Sequence, residues 1–167
     1  MKPKKIVILG VSASGKTTFS EKLATKTNLP LTRIDSVMWN PGWEYIGDDE
    51  TVRYVNSIAE QDKWIIEGYI EKEARENLFN KADLILYLDY SGWLSAFRYI
   101  KRCLKHHKNP RPELPGSPDK FKFKTLKLIF TKGETWRLEQ LIKENDWNNK
   151  IIRFKTPKEA NDHLARL

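Results

Sequence analysis

Gly10-Val11-Ser12-Ala13-Ser14-Gly15-Lys16-Thr17 satisfies the pattern G-x-x-x-x-G-K-[ST] at every fixed position. The pattern has a physical basis. Gly10 and Gly15 permit backbone angles and close approaches that a Cβ would block. The loop then turns successive N–H groups inward as an anion nest, at the positive end of the helix that follows. Lys16 is placed to reach the β- and γ-phosphates as a charge, and the Thr17 hydroxyl to ligate magnesium. The expected ligand is therefore a nucleoside triphosphate, ATP with Mg2+. Its contacts are expected from Gly10, Ser12, Ala13, Ser14, Gly15, Lys16, Thr17 and Thr18. The flanks agree with this reading. Lys5-Ile6-Val7-Ile8-Leu9 is a short β-branched run of the kind that forms a buried strand. Helix is expected from about Gly15 to Lys26, with Phe19, Leu23 and Ala24 on one stripe.

Strand-like and helix-like segments alternate outward from this loop, which predicts an α/β fold with a parallel sheet. Strands are expected at Leu31 to Ile34, ending at Asp35, then at Trp64-Ile65-Ile66, at Asp83 to Leu88, and at Ile151 to Phe154. With the first strand these make five. Each is short and nearly all apolar, as strands covered by helices on both faces are. Helices are expected from about Asp49 to Gln61, Lys72 to Phe79 and Gly92 to His107. The last of these carries Leu94, Phe97, Ile100 and Leu104 on one face. Trp39-Asn40-Pro41-Gly42-Trp43 and the proline-containing stretch Asn109 to Asp119 read as loops. Phe121 to Asn145 reads as helix with a break near Gly133. Thr156-Pro157-Lys158-Glu159 combines an N-cap, proline at the first helical position and a capping glutamate, so a helix begins at Pro157.

At 167 residues the chain is expected to form a single domain. With 40% apolar and 31% charged residues it has an ordinary globular composition. No apolar run approaches the roughly 18–20 residues of a membrane span, so no membrane partner is expected. The basic start leads into only Ile6 to Leu9 before the glycine loop, too short for the core of a signal peptide. A cytoplasmic protein is expected. A lone cysteine, Cys103, excludes an internal disulfide and reads as a packed thiol. His106-His107 lie side by side on a helix and point ~100° apart, which disfavours a shared metal.

The net charge of +8 is concentrated. Between Arg98 and Lys132 stand eleven Lys and Arg against two acids, Glu113 and Asp119. This segment calls for a polyanion, and nucleotide phosphates and nucleic acid both qualify.

The strand end Trp64-Ile65-Ile66-Glu67-Gly68-Tyr69 resembles that of the adenylate kinase-like P-loop kinases, while the small-GTPase arrangement, D-x-x-G after the third strand and N-K-x-D after a later one, is not met: Asn80 to Asp83 and Asp89 to Gly92 have those spacings in the reverse order. Within that superfamily the chain resembles the bacterial group labelled DNA topology modulation protein, or FlaR-like. Asp35, Trp39, Pro41-Gly42-Trp43, Leu86 to Asp89, Trp93, Arg98 to Arg102 and Arg111-Pro112 carry the match across nearly the whole chain. Glu67 stands where the group has Asp, and Gly92 stands before Trp93 where it has Arg. The resemblance implies a P-loop NTPase fold with a small helical lid, its basic part at about 98–132.

In phosphoryl transfer the protein mainly positions groups and neutralises charge. Lys16 and Thr17 serve the donor. Arg98 and Arg102, four apart on one helix face, are candidates to clamp its phosphates, or else a solvated basic face. Asp35 is placed to orient an acceptor hydroxyl, take its proton or hold magnesium through water; a turn cap is the alternative. Glu67 is a candidate magnesium ligand beside the loop. Trp39, Trp43 and Tyr69 are candidates for an acceptor pocket or for core. Arg53 and Arg75 are candidates for an acceptor phosphate. Two functions follow: an ATP-dependent kinase acting on a small molecule, and a nucleic-acid-associated regulator that uses ATP as a ligand.

Overall fold

The computed structural model describes residues 2–133 and 135–167, with the backbone alone at 135–137. In chain order the elements begin with β1 (Lys5–Gly10), α1 (Lys16–Thr27), β2 (Leu31–Arg33), α2 (Ile34–Met38), β3 (Trp39–Asn40) and β4 (Glu44–Tyr45). They continue with α3 (Asp48–Ala59), β5 (Trp64–Glu67), α4 (Lys72–Lys81), β6 (Leu84–Leu88) and α5 (Gly92–His106). The chain closes with α6 (Phe123–Thr131), α7 (Thr135–Glu144), β7 (Ile151–Phe154) and α8 (Pro157–Ala165).

Five strands form one parallel sheet in the order β2-β5-β1-β6-β7. The chain runs outward on one side of β1 and then crosses to the other, so the loop after β1 sits where the strand order switches. In such sheets ligands bind at the carboxyl ends of the strands beside that switch. The period-two alternation of the strands splits the core into two layers. Val7, Leu9, Trp64, Ile66, Ile85 and Tyr87 meet Val55, Ile58, Leu78 and Phe79 of α3 and α4 on one face. Ile6, Ile8, Ile65, Leu86, Leu88 and Phe154 meet Phe19, Leu23, Ala160 and Leu164 of α1 and α8 on the other.

Three sequence expectations need correction. The second strand stops at Arg33, and Asp35 lies in the first turn of the short α2. The aromatic loop is a hairpin, with Trp39 opposite Tyr45 and Gly42 (φ 86°) and Trp43 (φ 65°) making its turn. Most of the apolar stripe of α5 faces outward: Leu94 packs on the core, but Phe97 is 67% and Leu104 71% exposed, while Ala96, Tyr99 and Cys103 are buried. The small side chains Ser95 and Ala96 let α6 approach closely on that side, and the arginines of α5 are thereby turned toward the glycine loop. The apolar periodicity correctly marks a helix here, but packing selects the opposite face.

Gly92 has a steric reason. A Cβ there would lie 2.1 Å from the backbone oxygen of Phe130 at the end of α6, so the Arg of the resembling group would not fit this packing. Trp93 meets Phe130 edge-on, with ring centroids 4.6 Å apart. The expected start of α8 is present: Thr156 Oγ1 accepts from Glu159 N, and Glu159 Oε2 accepts from Lys155 N. No helix of the described residues is long and apolar enough to cross a membrane. Cys103 is buried, as a packed thiol would be. His106 Nδ1 and His107 Nδ1 engage different backbone carbonyls, those of Asn109 and Leu104.

Candidate functional site

The loop between β1 and α1 needs its two glycines. A Cβ on Gly10 would lie 2.6 Å from Ser14 Oγ and 3.0 Å from Leu88 O, because the loop crosses tightly over the end of β6. Gly15 has φ 102°, a conformation that side chains disfavour, and it directly precedes α1. Ala13 also adopts left-handed backbone, at φ 61°. The loop closes on itself through Ser14 N, which donates to Val11 O at 3.1 Å.

Lys16 Nζ folds back over the loop and donates to the carbonyls of Gly10 (2.8 Å) and Val11 (3.1 Å). Burial lowers its pKa, while the carboxylates of Asp35 and Glu67 act in the opposite sense. Thr17 Oγ1 donates to Glu67 Oε1 at 3.1 Å. Glu67 is 4% exposed, and burial pushes its carboxyl pKa upward against the pull of Lys16. Gly68 has φ 131°, and a Cβ there would lie 3.3 Å from Asp35 Oδ1. That close approach brings the end of β5 against Asp35 and gathers the three groups around Lys16.

Two arginines reach the loop from α5. Arg98 donates to Ser14 O at 2.9 Å, and Arg102 reaches Ser12 Oγ at 3.4 Å. Behind them stands an acid that sequence reasoning counted only as a charge. Asp119 Oδ2 lies 3.1 Å from Arg111 Nε and 3.4 Å from Arg102 Nε, and its side chain is nearly fully buried. Arg111 also pairs with Glu113 at 3.1 Å. The loop that carries this acid is pinned to the β3–β4 hairpin. Ser117 Oγ accepts from Gly42 N and Trp43 N, and Trp43 Nε1 donates to Pro118 O at 2.8 Å. These contacts join residues some 75 positions apart, which no local motif announces.

A cavity of about 540 Å³ opens at the glycine loop. Gly10, Ser12, Ala13, Gly15, Lys16, Thr17 and Thr18 face it, as do Asp35, Glu67, Arg98 and Arg102. Ser14 does not: its hydroxyl is buried against Gly10, and its carbonyl serves Arg98. Of the aromatic candidates only Tyr69 lines the cavity. Trp39 packs against the core, and Trp43 is committed to Pro118. Arg75 lines it and Arg53 does not. Arg111, Glu113 and Lys132 belong to the lining and were missed as site residues. Lys132 pairs with the buried Asp89, which also takes Lys155. Burial raises the Asp89 pKa, but the hydrogen bonds and charges of the two lysines outweigh it and hold the carboxyl below its ordinary value.

The Thr17 hydroxyl, the Glu67 carboxylate and the nearby Asp35 are hard oxygen donors of the kind magnesium takes. Among the described residues no cluster of three or more His, Cys, Asp or Glu forms. A cation here would complete its shell from phosphate oxygens and water, as magnesium commonly does.

No family model matches the chain, and no curated protein matches it. Among the solved structures that share its architecture are the following two. A candidate kinase from Chloroflexus aurantiacus J-10-fl has a TM-score of 0.52 and 23% identity, over 79% of this chain and 80% of that one. A gluconokinase from Sinorhizobium meliloti 1021 has a TM-score of 0.55 and 18% identity, over 98% of this chain and 93% of that one. At these identities the likeness concerns fold alone. With its five-stranded parallel sheet flanked by helices and its glycine loop at the switch point, the chain has an adenylate kinase-like P-loop fold, which these neighbours share.

Proposed function

We propose that the protein transfers the γ-phosphoryl group of Mg·ATP to a small-molecule acceptor. The observation that carries this reading is the convergence of Lys16, Thr17, Asp35 and Glu67 in one cavity that Arg98 and Arg102, held on the glycine loop, also line. A protein that only cradled phosphate would have little use for a buried carboxylate, Glu67, and a half-buried one, Asp35, beside its anion site.

The glycine loop binds the triphosphate through its backbone amides. Lys16 exchanges the carbonyls of Gly10 and Val11 for phosphate oxygens, and Arg98 and Arg102 take the opposite side. Thr17 and Glu67 would hold magnesium, which supplies charge neutralisation across the β- and γ-phosphates. The acceptor oxygen forms a bond to the γ-phosphorus while the bond to the β–γ bridging oxygen breaks, and ADP leaves with that oxygen. Where the acceptor presents a hydroxyl, Asp35 takes its proton. The test is 31P NMR of reactions with candidate acceptors: a new phosphorylated product stoichiometric with ADP supports transfer. ATP consumption that yields only inorganic phosphate would contradict it.

A second reading is favoured by one observation. Lys101, Lys105, Lys108, Lys122, Lys124 and Lys127 are exposed on or beside α5 and α6, whereas the segment's two acids are committed to Arg102 and Arg111. This unneutralised face supports a nucleic-acid-associated role, as expected of a DNA topology modulation (FlaR-like) protein. It calls for a salt-sensitive DNA affinity that is abolished by charge reversal at Lys122, Lys124 and Lys127.

A further inference from the structure

Trp93, Phe97, Ile100 and Leu104 follow one another along α5 at intervals of four, three and four residues, so they form one row on the helix. The row stands in solvent: Trp93 is 75% exposed, and Phe97 and Leu104 are exposed to a similar degree. A second outward row runs along α6, where Phe123 (73% exposed), Lys127 and Phe130 are spaced by four and three residues. Trp93 meets Phe130 edge-on, which joins the two rows into one patch. Single apolar side chains on a surface need no explanation, but a contiguous patch of large ones marks an interaction site.

The charge around the patch has one sign. Lys101 and Lys105 each follow a residue of the α5 row by one position and so stand ~100° round the helix from it. Lys124 and Lys127 stand on α6, and all four lysines are exposed. Neither helix contains an acid. The charge therefore selects an anionic occupant. A second copy of the chain would bring an identical acid-free patch, setting lysines against lysines. A partner helix needs holes for its side chains, but ring pairs close the space between α5 and α6 at both ends, Trp93 on Phe130 and Tyr99 on Phe121. Nucleic acid would use the lysines and the rings, yet Ile100 and Leu104 offer no π-face for a base. An anionic lipid surface uses every part: apolar side chains enter the acyl boundary, Trp93 sits at headgroup level and the lysines meet the lipid charges.

We infer that the outer face of α5 and α6 docks the protein on the surface of an anionic lipid bilayer, with α5 lying in the plane of the interface. Such attachment is peripheral and needs no spanning helix, of which the described residues contain none. Arg98 and Arg102 leave α5 on its other side, toward the glycine loop, so the docking face and the nucleotide site lie on different sides of the same helix. Docking is independent of the kinase reading and competes with nucleic acid for the same lysines.

The test is co-sedimentation of the full chain with vesicles of phosphatidylcholine alone and of phosphatidylcholine with about 30% phosphatidylserine, at about 0.1 M salt. The anionic vesicles should be bound about ten-fold or more tighter than the neutral ones, and added salt should weaken the binding. The double variant Phe97→Ser, Leu104→Ser should lose about ten-fold or more of that affinity, since it removes the apolar anchor. Both residues are exposed, so this variant should keep its Tm and its affinity for Mg·AMP-PNP, which shows that the loss is not unfolding. Lys101→Glu with Lys105→Glu should also abolish the preference for anionic vesicles. No vesicle binding, equal binding to both vesicles, or full anionic binding by the double serine variant would overturn the inference. Without vesicle binding, a salt-sensitive affinity for a DNA oligonucleotide that Lys101→Glu with Lys105→Glu removes would assign the face to nucleic acid. A dimer seen by analytical ultracentrifugation and lost in the double serine variant would then assign it to a second copy instead.

Discussion

Thr17 Oγ1 donates a hydrogen bond to Glu67 Oε1 across 3.1 Å, joining the last residue of the glycine loop to the end of a neighbouring strand 50 positions away. The parallel register of β1 and β5 sets this meeting, since Ile8 lies opposite Glu67. The bond orients both oxygens on the side where the phosphates would lie. Replacing Glu67 with Gln keeps the shape and removes the charge. Glu67→Gln is expected to weaken magnesium-dependent AMP-PNP binding by about 10- to 100-fold, the range for losing a tuned group at a metal site. Magnesium titration at fixed nucleotide checks it. Unchanged magnesium dependence would show that Glu67 only braces the loop.

The same carboxyl gives a pH dependence whose sign is fixed. Burial raises the Glu67 pKa above its ordinary 4.5, so the fold favours the protonated form. Stability from this group is present at low pH and is lost as pH rises through the raised value. Magnesium needs the ionised form and follows the opposite trend, binding more weakly as pH falls through that range. Magnesium affinity measured between about pH 5 and pH 8 should therefore rise with pH, and Glu67→Gln should flatten the curve.

Gly92→Ala tests the packing of the lid helices. The added methyl would lie 2.1 Å from Phe130 O, a backbone atom that cannot rotate away. Overpacking of this kind costs about 1–3 kcal/mol. For a chain of this size that corresponds to a fall in Tm of roughly 2–12 °C. Thermal unfolding checks it, and a Tm unchanged by the substitution would mean that α6 does not seat against α5 in this way.

Asp119→Asn removes the acid that Arg102 and Arg111 share. Both arginines keep some solvent contact, so a loss of about 2–3 kcal/mol is expected, less than for a fully buried pair. Glu113 still neutralises Arg111, which leaves Arg102 the more affected partner. Urea unfolding of Asp119→Asn against wild type measures the loss, and a change within about 0.5 kcal/mol, the range of ordinary surface substitutions, would place these ion pairs among the weak surface kind.

The sequence carries different parts of this molecule unequally. Gly10 to Thr17 is contiguous, and each residue type answers to a local requirement, so loop, strand and helix are all legible there. Glu67 could be placed because an apolar strand run points to its own end, whereas Asp35, read the same way, lies in the first turn of α2. The orientation of α5 was not legible: Phe97 and Leu104 form the more apolar stripe, yet packing with α6 and reach toward the loop turn Tyr99 and Cys103 inward. Asp119, Ser117 and Trp43 were likewise hidden, because their roles arise from contacts between distant segments. Arg53 and Arg75 were equivalent candidates in the sequence, and only the fold separates them, since Arg75 lines the cavity and Arg53 does not.

The central claim is phosphoryl transfer from the glycine loop, and acceptor-dependent ADP release tests it most directly. Wild type and Lys16→Ala would be assayed with Mg·ATP against nucleosides, nucleoside monophosphates and small metabolites bearing hydroxyl, carboxylate or phosphate groups. At least one acceptor is expected to raise ADP release well above the ATP-only background. Lys16→Ala is expected to lower that rate by about 10²- to 10³-fold, the scale of losing one charge-stabilising group. A flat response across all acceptors, or acceptor-dependent turnover that survives Lys16→Ala, would contradict it.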